Sequence, residues 1–141
     1  QKVYISLSYK RDMRPGDLLV IYRKGTMAGR KAYESVVSTI CVVDEVRYNF
    51  SSKEDYLKCC ENRTVFSQET LNQLWEKHSE KLLVVKFIFI KSLTKRITLG
   101  ELWSGGIIPQ YSGPRPFDHI PDTNFDTILA KSQTKIHFER Q

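Results

Sequence analysis

The chain has 141 residues, the size of one domain large enough to bury a core of its own. Hydrophobic residues make up 40% and charged residues 27%, the balance of a soluble globular protein. No apolar run approaches the ~20 residues that span a bilayer, so no membrane partner is expected. A net charge of +6 and a pI of about 9.3 favour an anionic partner. Three cysteines, an odd number with Cys59 and Cys60 adjacent, argue against a disulfide framework and for a reducing, cytoplasmic setting.

The chain enters directly into the strand-like Lys2-Val3-Tyr4-Ile5, part of a first strand over residues 2–7. The abrupt start at Gln1, with no basic region followed by an apolar block, reads as a fragment of a longer protein, residues 1–141 being a single domain. Tyr9 to Arg14 is a polar connector with Lys10, Arg11 and Arg14. Arg14-Pro15-Gly16-Asp17 is a turn delivering the chain into the run Leu18 to Tyr22. The segment Arg23 to Lys31 carries four basic residues and two glycines, and a second run rises from Tyr33 to Val46. Together they read as a hairpin over roughly residues 17–47, two buried strands joined by a solvated basic loop. Both faces of the second run are largely apolar, as in a closed or strongly curved sheet.

Four short helices follow from their caps and spacing. Ser52 with Asp55 starts one, carrying Tyr56, Leu57 and Cys60 on one side. Ser67 caps a second, on which Leu71, Leu74, Trp75 and His78 share a face. Thr98 and Glu101 form a capping box, and Gly105-Gly106 stops that helix after Trp103. Pro121-Asp122 opens the fourth, with Phe125, Ile128 and Leu129 as its apolar stripe. Leu82 to Ile90 is a strand between the second and third helices, and a final strand is expected over Lys135 to Phe138.

The residues supply little for catalysis. His78, His119 and His137 are scattered without ligand spacing, and Cys59-Cys60 suits no zinc knuckle, so neither metal nor cofactor is expected. There is no Gly-x-Ser-x-Gly elbow and no Gly-rich phosphate loop. Asp44 and Glu45, as strand neighbours, point to opposite faces, and Glu54-Asp55 belongs in a first helical turn. The expectation is a chain that is not an enzyme by itself. Nucleic-acid binding has more support: basic residues recur where strands end, at Lys10, Arg11 and Arg14, at Arg23, Lys24, Arg30 and Lys31, and at Lys91, Lys95 and Arg96. Aromatics close by in sequence, Tyr9, Tyr22, Tyr33, Trp103 and Tyr111, are what an unstacked base would lie on. The plainer account is that the tyrosines pack within strands and the lysines form a solvated surface.

Lys2 to Ile5, Arg14 to Arg23 and Val36 to Val46, in that order, resemble the PUA-like superfamily, which includes PUA, ASCH, EVE and YTH domains. Arg63 to Ser67, Leu83 to Phe87 and Gly106 to Gln110 are similar to the PUA-like domain found C-terminal to bacterial GNAT-type acetyltransferases. The resemblance implies an α+β fold, a mixed β pseudo-barrel of five or six strands with short helices inserted around it. It implies RNA or DNA as partner, a modified base in some branches being held in an aromatic-lined pocket. On that reading Arg23, Arg30, Lys31 and Arg115 contact phosphates, Tyr22, Tyr33 or Trp103 line the pocket, and Ser6 and Ser8 bond the base edge. The alternative is a regulatory or interaction domain without a ligand of its own, packed on a GNAT-type catalytic domain of the same chain.

Overall fold

The computed structural model describes residues 2–8, 10–25, 31–61, 64, 66–115 and 117–136, and of Lys31 the backbone alone. In chain order its elements are β1 (Lys2–Ser6), β2 (Leu18–Arg23), α1 (Lys31–Glu34), β3 (Val36–Tyr48), α2 (Lys53–Cys60), α3 (Gln68–His78), β4 (Leu83–Thr98), α4 (Leu99–Ser104) and α5 (Asp122–Lys131). The fold is α+β, with the strands in one antiparallel sheet of order β1-β4-β3-β2. Residues cluster into two compact units, Gln1–Leu19 with Cys41–Phe89, and Val20–Ile40 with Ile90–Gln141. The division falls inside β2, β3 and β4, each of which begins in one unit and ends in the other. No helix among the described residues is long and apolar enough to cross a membrane.

In the first unit the Pro15-Gly16 turn closes with the Asp17 amide donating to the Arg14 carbonyl at 3.1 Å. Gly16 sits at φ +93°, which a side chain would strain, at the third position of the turn. β1 pairs with β4 so that Val3 lies opposite Lys86 and Ile5 opposite Val84, on one face of the sheet. On that face Val3, Ile5, Leu82 and Val84 join Tyr56, Cys59 and Cys60 of α2 and Leu71 of α3, with Phe50, Leu57, Leu74 and Trp75 packed around them. Tyr56 is the centre: its ring stacks on Trp75 at 5.5 Å, and its hydroxyl donates to the Leu71 carbonyl at 3.2 Å. The serine caps expected for α2 and α3 are both made, Ser52 accepting from the Asp55 amide and Ser67 from that of Thr70.

Ions lie at the rim of this core. Lys86 is buried on the core face and reaches Glu45 of β3 at 3.4 Å. Arg47, two residues along β3, holds the Asp55 carboxylate with two bonds of 3.0 and 2.9 Å from one guanidinium nitrogen, tying α2 to the strand. That bond lowers the Asp55 carboxyl below its ordinary 3.8. Burial raises both neighbouring thiols, Cys60 to about 12, so that they stay protonated near neutrality.

In the second unit α1 packs against α4. The Leu99 amide at the head of α4 donates to the Ser35 carbonyl at 2.9 Å, and Thr98 and Glu101 complete the expected capping box. After α5 the chain runs back along β4, the Lys95 amide donating to the Ser132 carbonyl at 2.9 Å and the Thr94 amide to the Thr134 hydroxyl at 3.0 Å.

Four expectations are corrected. β2 is half-buried along its length rather than buried, because it is an edge strand with one neighbour. Tyr33 lies not on a strand but on α1, where Lys, Ala and Glu favour a helical turn. β4 does not stop at Ile90; it runs to Thr98 through polar, exposed positions, burying Leu93 and Ile97, which are four apart. Lys91, Lys95 and Arg96 therefore lie within a strand and not at its end. Finally, among the described residues the strands form an open sheet of four rather than a closed barrel, and 135–136 are not strand; the rest of the strand expected over 135–138, and His137, lie outside the described residues.

Two outcomes follow. Tyr56→Phe keeps the ring packing and deletes one buried hydrogen bond, and should cost about 1 kcal/mol in urea unfolding. Asp55 has its folded pKa below its unfolded one, so its contribution is present above pH 3.8 and is lost as pH falls through the folded value. Asp55→Asn should lower the unfolding midpoint at pH 7 and flatten its fall as the pH drops through and below the ordinary carboxylate range.

Candidate nucleic-acid interface

The described residues of the predicted site divide between the units. Ser6 and Ser8 belong to the first. Ser6 ends β1 nearly buried, its hydroxyl oxygen accepting from the Ser8 amide at 3.0 Å, while Ser8 accepts from the Lys10 amide at 3.2 Å. Tyr22, Arg23, Tyr33, Trp103 and Arg115 belong to the second. Arg30 lies outside the described residues, as do Tyr9 and the side chain of Lys31.

Within the second unit two predicted aromatics are brought onto packed helices, Tyr33 on α1 and Trp103 on α4. Gly100 permits the approach, since a Cβ there would lie 3.3 Å from the Ala32 carbonyl oxygen. Ser35 holds α1 at its other end: it has no exposed surface, and its hydroxyl accepts from the Gly25 amide at 2.8 Å. Tyr33 is 79% exposed, so it is a surface ring and not a packed strand residue.

Trp103 has a partner that spacing did not place in the pocket. Its ring meets Tyr111 edge to face, centroids 5.6 Å apart with 62° between the planes. The indole N–H donates to the Ser112 carbonyl at 2.7 Å, and the Ser112 amide donates to the Pro109 carbonyl at 3.0 Å, so the turn carrying Tyr111 is pinned from both sides. Tyr111 is 82% exposed and sits at φ 65°, a left-handed backbone that costs a bulky side chain roughly 1–2 kcal/mol. The sequence had offered Tyr111 among the aromatics for a base to lie on, without pairing it to Trp103. Arg115 follows in the same loop, exposed, its amide fixed by the Asp118 carboxylate at 2.9 Å.

Other residues named from the sequence have surroundings of their own. Tyr22 and Arg23 are consecutive on β2 and project to opposite faces of the sheet. Arg11 and Arg14 are turned onto their own connector. Arg11 donates to the Ser8 and Lys10 carbonyls and lies 5.0 Å from the Tyr48 ring, and Arg14 donates to the Arg11 and Met13 carbonyls. A cleft of about 620 Å³ lies in the first unit, lined by Glu54, Leu57, Lys58, Cys60, Phe66 and Gln68 among others, and none of the predicted pocket residues. Its mixed charge gives no preference for an anion. Among the described residues no three His, Cys, Asp or Glu side chains gather as a metal site.

No protein-family model, no curated protein and no solved structure matches the chain.

Ser35→Ala leaves the Gly25 amide without its acceptor in a partly buried place and should cost about 1–3 kcal/mol. It should also loosen α1 against α4, read as faster amide exchange at Leu99 with no change at Tyr56.

Proposed function

We propose that the chain is a nucleic-acid-binding module, non-catalytic by itself. The observation that carries the reading is the aromatic surface of the second unit: Tyr33 and Tyr111 expose 79% and 82% of themselves and Trp103 stands between their segments in sequence. Exposed aromatic rings on a basic chain are the surface on which bases stack. Arg23 and Arg115, both exposed, are the side chains offered to phosphates, Arg30 and Lys31 being the further candidates of the hairpin loop. Membership of the PUA-like superfamily belongs to the same proposal. A first strand, a Pro-Gly-Asp entry, a hairpin and a long later strand, in that order, are compatible with it, and so are RNA or DNA as partner and a cytoplasmic setting.

A second reading has its own observation. Ile88 and Ile90 share one face of β4 at 43% and 37% exposed, and Phe89 on the other face is 59% exposed, apolar surface suited to a protein partner such as a GNAT-type catalytic domain. On that reading the module has no ligand of its own.

The two part on one titration. Labelled RNA and DNA, single- and double-stranded, are added to the full chain at about 50 and 200 mM salt, a range over which phosphate contacts weaken by orders of magnitude. Binding at the lower salt that fades at the higher supports the module; no binding of any of the four at the lower salt overturns it.

A further inference from the structure

The +6 net charge is not shared evenly. Counted over the sequence of each unit, the second carries eleven Lys and Arg against six Asp and Glu, net +5, and the first eleven against ten, net +1. Five of the first unit's eleven basic side chains are also committed: Arg47 to Asp55 and Glu45, Lys86 to Glu45, Lys53 to Glu76, and Arg11 and Arg14 to their own backbone. A polyanion is therefore attracted to the unit that holds Tyr111, Trp103 and Arg115.

We propose that this unit selects single-stranded nucleic acid, seating an unpaired base on the Tyr111–Trp103 ledge while the following Arg115 meets a phosphate. The inference rests on the nucleic-acid reading above and adds the strand form and the place.

Three features carry it. The ledge is fixed before any ligand arrives, by the indole bond to Ser112, the Ser112 bond to Pro109 and the edge-to-face ring contact, so little side-chain freedom is lost on stacking. The ring is displayed against its own backbone preference, since Tyr111 holds a left-handed conformation yet stays 82% exposed. That strain gains little buried surface for the fold. And a ledge open to solvent suits a base already free of its partner. Flipping one from a duplex costs a few kcal/mol and needs a snug pocket to repay it, whereas stacking on an open ring is sequence-tolerant and favours single strands.

The test is fluorescence anisotropy on the full chain with 12-nucleotide single-stranded RNA and DNA and the matching duplexes. Single strands should bind more tightly than duplexes. Tyr111→Ala should weaken single-strand binding roughly ten-fold, and Tyr111→Phe should stay within about two-fold of the parent, because stacking needs the ring and not the hydroxyl. Arg115→Gln should reduce the dependence of log affinity on log salt by about 0.7, one phosphate's share for single strands. Lys53→Gln, the same charge change in the first unit, should leave that slope alone. Tight binding that ignores Tyr111→Ala, or equal affinity for duplex and single strand, overturns the ledge and leaves the nucleic-acid reading standing. Absence of binding to all four ligands at low salt removes both.

Discussion

Ser35 is the side chain on which the arrangement of the second unit depends. It stands between α1 and β3 with no exposed surface, takes the Gly25 amide on its hydroxyl and gives its carbonyl to Leu99. One residue thus closes the base of the β2–β3 hairpin and starts α4. Buried polar groups are tolerated when they are bonded, and here the bonding has a geometric result. The helix bearing Tyr33 and the helix bearing Trp103 are referred to a common point. The capping box at Thr98 and Glu101 then sets the direction in which α4 leaves that point, and the Gly105-Gly106 stop returns the chain toward the turn that displays Tyr111.

The first unit solves a different problem. Its sheet face is apolar at Val3, Ile5 and Val84, yet Lys86 falls on the same face because strand residues alternate and 84 and 86 share a side. A buried ammonium needs a partner, and Glu45 supplies it; Arg47, beyond Glu45 on the same face of β3, turns instead to Asp55. A pairing of this kind adds less to net stability than equal apolar area would, but removal of either partner is costly. It fixes β3, β4 and α2 in relation to one another, where Leu and Val alone would allow sliding. The unit's eleven basic residues are nearly matched by ten acidic ones, so most of the net charge falls in the other unit.

Helix caps were the most legible part of the chain, since each is a local exchange between a hydroxyl and an amide three residues on. Ser52, Ser67 and Thr98 all cap as expected. The Pro-Gly-Asp turn and the hairpin were legible for the same reason. The second half of β4 was not, because its exposed residues carry no apolar period and its extension is set by bonds from Ser132 and Thr134, far along the chain. Tyr33 was misplaced because an aromatic before a β-branched run reads as strand, while four residues of helix leave no period to detect. Of the site, the residue types were legible and their grouping was not. Tyr111 meets Trp103 through a left-handed turn, and no spacing rule pairs residues across such a bend.

Among the described residues β1 pairs with β4 as far as Phe87, the partner of Lys2. Beyond it come Ile88, Phe89 and Ile90, three β-formers in extended backbone with substantial exposure, the composition that recruits neighbouring molecules into intermolecular sheets. Lys91 follows them directly, exposed on the strand, so a second copy pairing along this triplet would have to take in its charge. A lysine at that place acts as a gatekeeper, a charge that interrupts an apolar run before it can template a sheet of many copies.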